Sequence, residues 1–318
     1  WEPIDVLTWG KVVSWSLSAN HNREIIRYKL LQRGITKQRI DELIPLYPST
    51  TTVLNAEELN ITLTPKEIEQ LEATFQDDSG YYQPEKLNTT ASATSGFYTP
   101  METEMLRTAF DTVFINPLSA KASNNWVISG QFTKRGKPFV ANDPHLSFTA
   151  PGIWHLDHLK SSKTGLDVIG ATFVGTPGVV IGRNKHISWG VTNGYADVQD
   201  LFALDVVTKD VSYRHNGQTV EYTKYNEEII VKGSKPVNLV VLESVYGPVV
   251  NDMFEVQGET PLSLHWVSLL GGDTSFETFI KLNYAQNHQD FVNALKLYIA
   301  PAQNFIYADI EGNIAYYL

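Results

Sequence analysis

The chain has 318 residues, 42% hydrophobic and 11% aromatic, with a formal charge of −10, and is long enough for one large core or two domains. The charge is even: residues 1–122 hold 11 basic and 16 acidic side chains and the rest hold 14 and 19, so no basic arm or stripe offers itself to nucleic acid. Cysteine is absent, which excludes disulfides, thiol nucleophiles and zinc–thiolate sites, and no run of 18 apolar residues suggests a transmembrane segment.

The sequence starts at Trp1 rather than Met and shows no signal-peptide pattern, so it reads as a fragment or a processed product. Residues 1–122 read as helical with loops. Paired apolar positions (Ile25, Ile26, Leu30, Leu31) predict a helix from Glu24 to Leu31, which Gly34 ends before a second from Ile35 to Ile44. Thr64-Pro65-Lys66-Glu67 and Thr99-Pro100-Met101-Glu102 each offer a Thr N-cap, Pro at the first helical position and Glu at the third. Gln76 to Gly96, between them, is polar and reads as an exposed loop. Asn60-Ile61-Thr62 and Asn88-Thr89-Thr90 fit a glycosylation pattern that short triplets also meet by chance.

From Ser123 onward the pattern is mostly β. Trp126, Ile128 and Phe132 alternate with Asn125, Val127, Ser129 and Gln131, as in a half-buried strand. Further strands are predicted at Pro138–Ala141, Asp167–Val174, Gly178–Ile181, Ile187–Thr192, Leu201–Val207, Glu227–Val231 and Val237–Leu242. Thr274-Ser275-Phe276-Glu277 predicts a capped helix, a second helix spans Phe291–Ile299, and a hairpin joins Phe305–Asp309 to Ile314–Tyr317.

Three stretches bear on chemistry. A serine at a strand start is ordinarily a turn or cap residue. A hydroxyl becomes a nucleophile only beside a base. His155-Leu156-Asp157-His158 invites a metal-hydrolase reading, but lacks the glutamate that the zinc-protease pattern places after its first histidine. By itself, Asp197-Val198-Gln199-Asp200 reads as a pair of ordinary turn acids about an intervening carbonyl.

Ser123-Asn124-Asn125-Trp126-Val127-Ile128 resembles the start of the β-chain in the penicillin acylase family of N-terminal-nucleophile (Ntn) hydrolases. The likeness continues through Trp1-Glu2-Pro3-Ile4-Asp5-Val6, there a segment ahead of the α-chain helices. It extends through Asn142-Asp143-Pro144-His145-Leu146, Thr176 to Asn184, Ile187 to Asn193, and Tyr307-Ala308-Asp309 with Gly312-Asn313-Ile314. Five ordered blocks at near-family spacing are far more specific than one tetrad.

The resemblance implies an α+β, four-layer αββα Ntn-hydrolase sandwich, of which this chain is an incomplete portion. Residues 1–75 would be α-chain-like, 76–122 spacer-like and 123–318 the β-rich start of the catalytic β-chain. It implies an N-acyl amide hydrolase that cuts itself between Ala122 and Ser123 and works through an acyl-enzyme on Ser123 with its own α-amine as base; a free α-amine titrates near ~7.7–8.0 against ~10.4 for lysine, whereas an amide nitrogen accepts no proton. In that scheme His145 offers its backbone carbonyl to the new amine, and its imidazole could orient or relay protons. Asn193 supplies a main-chain oxyanion donor.

A structural calcium ion would be held by Glu24, Asp197, Gln199 and Asp200, tying the α- and β-chain parts together after cleavage. The substrate would be a small N-acyl amide with an apolar acyl group, since Leu146, Ile181, Leu17 and Ser18 stand where phenylacetyl-specific relatives have other residues. Many relatives are periplasmic or secreted. The family's second oxyanion donor, a downstream Asn side chain, has no counterpart before Leu318. The resemblance therefore leaves a second reading, a catalytically incompetent fragment or binding module with the same fold.

Overall fold

The computed structural model describes residues 2–18, 20–44, 123–146, 150, 152–254, 256, 258 and 260–318. The helices expected at 64–75 and 100–114, the spacer-like segment 76–122 and both glycosylation triplets lie outside them. The chain divides into two compact units, residues 1–26 with 104–318, and residues 27–103.

Helix α1 (Pro3–Leu17) begins earlier than the sequence suggested. Trp1 to Val6 reads as a segment ahead of the helices, but Pro3 is the first helical residue and Asp5 accepts from the Glu2 N–H at 2.6 Å. The Pro and acidic signals resemble those of the two predicted capping boxes, with Glu in place of Thr at the cap.

Helix α2 (Asn20–Gln32) follows, and Gly34, at φ +80°, lets the chain turn out of it. In the smaller unit, the Thr36 hydroxyl accepts from the Arg39 N–H and caps α3 (Lys37–Leu43). Arg27 ties α2 to α3 by pairing with Asp41 and donating to the Ile44 carbonyl.

The larger unit is built on a six-stranded antiparallel sheet. Its strands are β3 (Trp154–Lys160), β4 (Asp167–Phe173), β5 (Ile181–Arg183), β6 (Ile187–Asn193), β15 (Gln303–Asp309) and β16 (Ile314–Tyr317), in the spatial order β16-β15-β6-β5-β4-β3. Val168, Val179, Trp189 and Tyr307 from the sheet region form one core with Leu282 of α4 (Ser275–Tyr284) and Phe291 of α5 (His288–Leu295). Burial of such side chains contributes ~1.5–3 kcal/mol each and dominates the stability of this region.

Smaller sheets complete the unit. β1 (Ser123–Ile128) pairs with β2 (Phe139–Pro144) in a register that sets Ser123 opposite Pro144. β7 (Gln199–Ala203) pairs with β14 (Leu262–Trp266). β8 (Asp205–Thr208), β9 (Ser212–His215) and β10 (Gln218–Glu221) form a meander, as do β11 (Thr223–Ile229), β12 (Val237–Ser244) and β13 (Gly247–Pro248).

Several expectations need correction. The strand predicted at Gly178–Ile181 starts only at Ile181: Gly178 has φ +81°, and the Asn283 side chain takes both backbone groups of Val179. Leu201–Val207 is two strands in different sheets: the buried Leu204 carries the β7–β14 register one bond further, to the Pro261 carbonyl, and from Asp205 the chain pairs with β9 instead. Thr274 occupies the N-cap of α4, but its hydroxyl donates to Leu297 while Asp273 receives the Ser275 N–H.

Trp126 and Ile128 do share a face of β1, but it is the more exposed one, with Trp126 50% accessible, and Phe132 lies beyond the strand in a 3-10 turn. Ser123, Asn125 and Val127 form the less exposed face. β3 itself was not foreseen, since charged residues interrupt its alternation. His155 and His158 lie three apart on it, hence on opposite faces, and pair with Asp157 and Asp167 respectively. Those placements remove the metal-hydrolase reading of this tetrad.

Candidate active site

Ser123 and Asn193 line a single cavity of about 230 Å³ in the larger unit. One wall comes from α1 (Leu7, Gly10, Lys11, Ser14, Leu17), and another from the region of β4, β5 and β6. Leu17, Leu146 and Ile181 line it as expected, whereas Ser18 is buried outside its lining.

Ser123 stands at the start of β1. Its Oγ accepts from the His145 backbone N–H at 3.3 Å, across the end of the β1–β2 ladder. The His145 ring lies outside the cavity lining, half-exposed, with Nε2 2.9 Å from Asp143. His145 therefore meets the serine through its main chain, while its imidazole faces a carboxylate. Asn142 fastens this strand pair to β6, with Oδ1 accepting from the Val191 N–H and Nδ2 donating to the Val191 carbonyl.

The position of Asn193 follows from ladder geometry. Gly194 donates to the Ala302 carbonyl at 2.8 Å, so the adjoining pair, Asn193 with Gln303, is of the non-hydrogen-bonded kind. The Asn193 N–H thus turns away from β15, to the same edge as the Val191 N–H that Asn142 caps. Its side-chain amide donates to the Leu17 carbonyl at 2.8 Å, which fixes the C-terminal end of α1 against the end of β6.

Polar groups without partners concentrate here. Among the described residues ten buried side-chain polar atoms lack a hydrogen bond, and four belong to cavity-lining residues: Trp154 Nε1, Thr176 Oγ1, Asn193 Oδ1 and Gln303 Nε2. Native proteins seldom leave such groups unmet, and unmet groups beside a cavity point to an occupant. Gln303 is only 7% exposed. Sequence reasoning missed it because a polar residue at a strand start carries no distinctive signal. Lys11 was missed too, although a lysine on the Leu7-Lys11-Ser14-Leu17 helical stripe was a visible anomaly.

The residues proposed as metal ligands also come together. Carboxylate oxygens of Glu24, Asp197 and Asp200 all lie within 4.8 Å of one another. Glu24 Oε2 accepts from the Leu201 N–H at 2.6 Å. The Gln199 side chain is fully buried and engages His21, whereas its carbonyl faces Asn20. Asn20 Nδ2 donates to both Asp197 and that carbonyl, and Asn20 Oδ1 is buried with no partner. Rotating this amide by half a turn would present an oxygen to the same two groups. A set of three carboxylates, one carbonyl and a reversible amide suits a hard cation such as calcium. Burial holds the His21 pKa below its ordinary value, against the opposing bonds from Gln199 and Ser18, so the ring beside this cluster favours its neutral form.

Comparison with known proteins gives the chain a family and relatives. It matches the family described as Penicillin amidase over residues 1–318. It is 30% identical over 218 residues to an acyl-homoserine lactone acylase, QuiP, of Pseudomonas fluorescens, covering 67% of this chain and 26% of that protein. It is 31% identical over 200 residues to the penicillin G acylase of Escherichia coli, covering 61% and 22%.

The solved structure of a thermostable penicillin G acylase from Alcaligenes faecalis superposes with a TM-score of 0.54 at 25% identity, covering 60% of this chain and 34% of that one. This likeness shows the α+β Ntn-hydrolase fold, of which the chain forms a part. The chain spans about a quarter of the length of these two curated relatives.

Proposed function

Because the chain belongs to the penicillin amidase family, we propose that it is the nucleophile-bearing part of an N-acyl amide hydrolase. It cuts itself between Ala122 and Ser123 and then transfers an acyl group to the Ser123 hydroxyl. The observation that carries this reading is the position of Ser123 Oγ, which lines the cavity beside Asn193 and accepts a hydrogen bond from the His145 N–H. That N–H occupies one lone pair of the oxygen and leaves the hydroxyl proton free for a base.

In the mechanism, the freed α-amine of Ser123 takes the hydroxyl proton as Oγ attacks the acyl carbon. The main-chain N–H of Asn193 stabilises the oxyanion, a contribution that typically costs ~3–4 kcal/mol when lost. The protonated amine gives its proton to the departing amine, and water then releases the acid by the same route in reverse. Gln303 Nε2, buried and without a partner, is a further donor at this end of the cavity.

Glu24, Asp197, Asp200 and the Gln199 carbonyl would hold a structural calcium ion that ties residues before the cut to residues after it. The ion would supply charge neutralisation rather than chemistry. Periplasmic or secreted placement belongs to the same reading; among the described residues no helix is long and apolar enough to cross a membrane.

N-terminal analysis and mass spectrometry of the purified protein are expected to find a chain beginning at Ser123, absent in Ser123→Ala, and a chromogenic N-acyl amide should be cleaved only by the matured form. An intact, folded wild-type protein that never acquires this terminus would overturn the proposal. Cleavage without turnover would favour the binding-module reading.

A further inference from the structure

The cavity is not apolar throughout. Lys11 projects from α1 into its lining and pairs with Asp273 at 2.5 Å; it also donates to the Ser268 carbonyl. Asp273 in turn accepts from the Ser275 N–H. Burial pushes the Asp273 carboxyl up, but Lys11 and Ser275 together hold it below its ordinary pKa, so the carboxylate stays ionised. Two of the three ammonium donors have acceptors in these bonds. The third is available beside a cavity whose wall already carries the unpartnered Trp154 Nε1 and Thr176 Oγ1.

The helix supplies a ruler. Leu17 marks the catalytic end, through its bond to Asn193, and Lys11 lies six residues earlier, ~9 Å along the axis. An extended hydrocarbon advances roughly 1.3 Å per carbon, given bonds of ~1.5 Å at tetrahedral angles. We propose that the acyl group held here is mostly hydrocarbon but bears a neutral oxygen, a hydroxyl or ketone, about seven carbons beyond the scissile carbonyl, where Lys11 Nζ receives it. A methyl end at that depth would displace water from the ammonium without replacing its bond. A carboxylate end would meet Asp273 as well as Lys11. This inference rests on the acylase reading for the word acyl, but its test does not depend on turnover.

The test is calorimetric binding to the full chain carrying Ser123→Ala, with three amides of equal length: octanamide, 8-hydroxyoctanamide and 8-amino-8-oxooctanoate. The hydroxyamide is expected to bind roughly 10-fold or more tighter than octanamide, as for a bond to a charged group, and tighter than the carboxylate. Lys11→Met should abolish that preference. Because it strands Asp273, the double variant Lys11→Met with Asp273→Leu provides a second, uncharged background.

Equal or reversed affinities, a preference that survives in the double variant, or no binding of any of the three overturns the proposal. Failure of wild-type self-cleavage would count against the acylase reading alone and leave this preference measurable.

Discussion

The two ends of β6 are both built from side-chain amides, and they are built for opposite purposes. Just before the strand, Asn184 Oδ1 accepts from the His186 and Ile187 N–H groups while its Nδ2 donates to Asn283 and Ala285. Asn283 in turn takes both backbone groups of Val179 and donates to Phe279. Every polar atom of these two buried side chains is met. At the other end, Asn193 and Gln303 face each other in register, and each keeps one buried polar atom without a partner. A saturated network stabilises the fold, whereas an unsaturated one costs free energy that only a ligand or water can return. The contrast locates the site independently of any motif.

The largest expected effect comes from breaking the saturated end. Asn283→Ala would strand the Val179 N–H and carbonyl together, costing roughly 3 kcal/mol or more, read as a lowered urea midpoint. Asn142→Ala is expected to cost about 2 kcal/mol by exposing the backbone groups of Val191. Because it also loosens the β1–β2 pair carrying Ser123, turnover should fall by about 100-fold. A drop in stability with unchanged turnover would show that Asn142 does not position the serine.

Gln303→Leu should act in the opposite direction at the unsaturated end. Removing an unmet buried amide is expected to raise stability by about 1 kcal/mol while weakening amide binding. A loss of stability would mean that the Gln303 amide is structural, and the contrast between the two ends would fail.

The smallest effect concerns acid. The His158 bond holds the Asp167 carboxyl down to about 2, against an opposing push from burial and with help from Lys160 and Lys185. A depressed carboxyl contributes stability above its unfolded value near 3.8, and that contribution is lost as pH falls through about 2. Asp167→Asn should therefore flatten the stability profile between those two values; an unchanged slope there would contradict the assignment.

How much of this was visible in the sequence follows from range. Helix breaks and turns rest on single residues, so Gly34 and the hairpin at Gly312 were legible, and β6 was found nearly whole from its apolar run. β3 was not, because its pairing with β4 rather than its own alternation makes it a strand. The face of β1 was ambiguous for a related reason. Its less exposed side carries Ser123 and Asn125, whose side chain donates to the Asn304 carbonyl 179 positions away, so polar residues sit where pattern reasoning looks for apolar ones. Ser123, Asn193 and the acid cluster were named from resemblance. Asn20, Gln303 and Lys11 were not, since their significance is an atom left over or a donor to spare, which only three-dimensional accounting exposes.

The residue facing Ser123 is Pro144, which has no N–H to give. Facing residues in an antiparallel ladder alternate between bonded and unbonded pairs, and proline fits only an unbonded one, with its nitrogen turned away from the partner strand. The Ser123 rung is therefore unbonded, and the N–H that reaches its hydroxyl belongs to the next residue, His145. A slip of one position would set proline on a bonded rung and turn the serine to the other face, so this residue acts as a registration mark for the nucleophile.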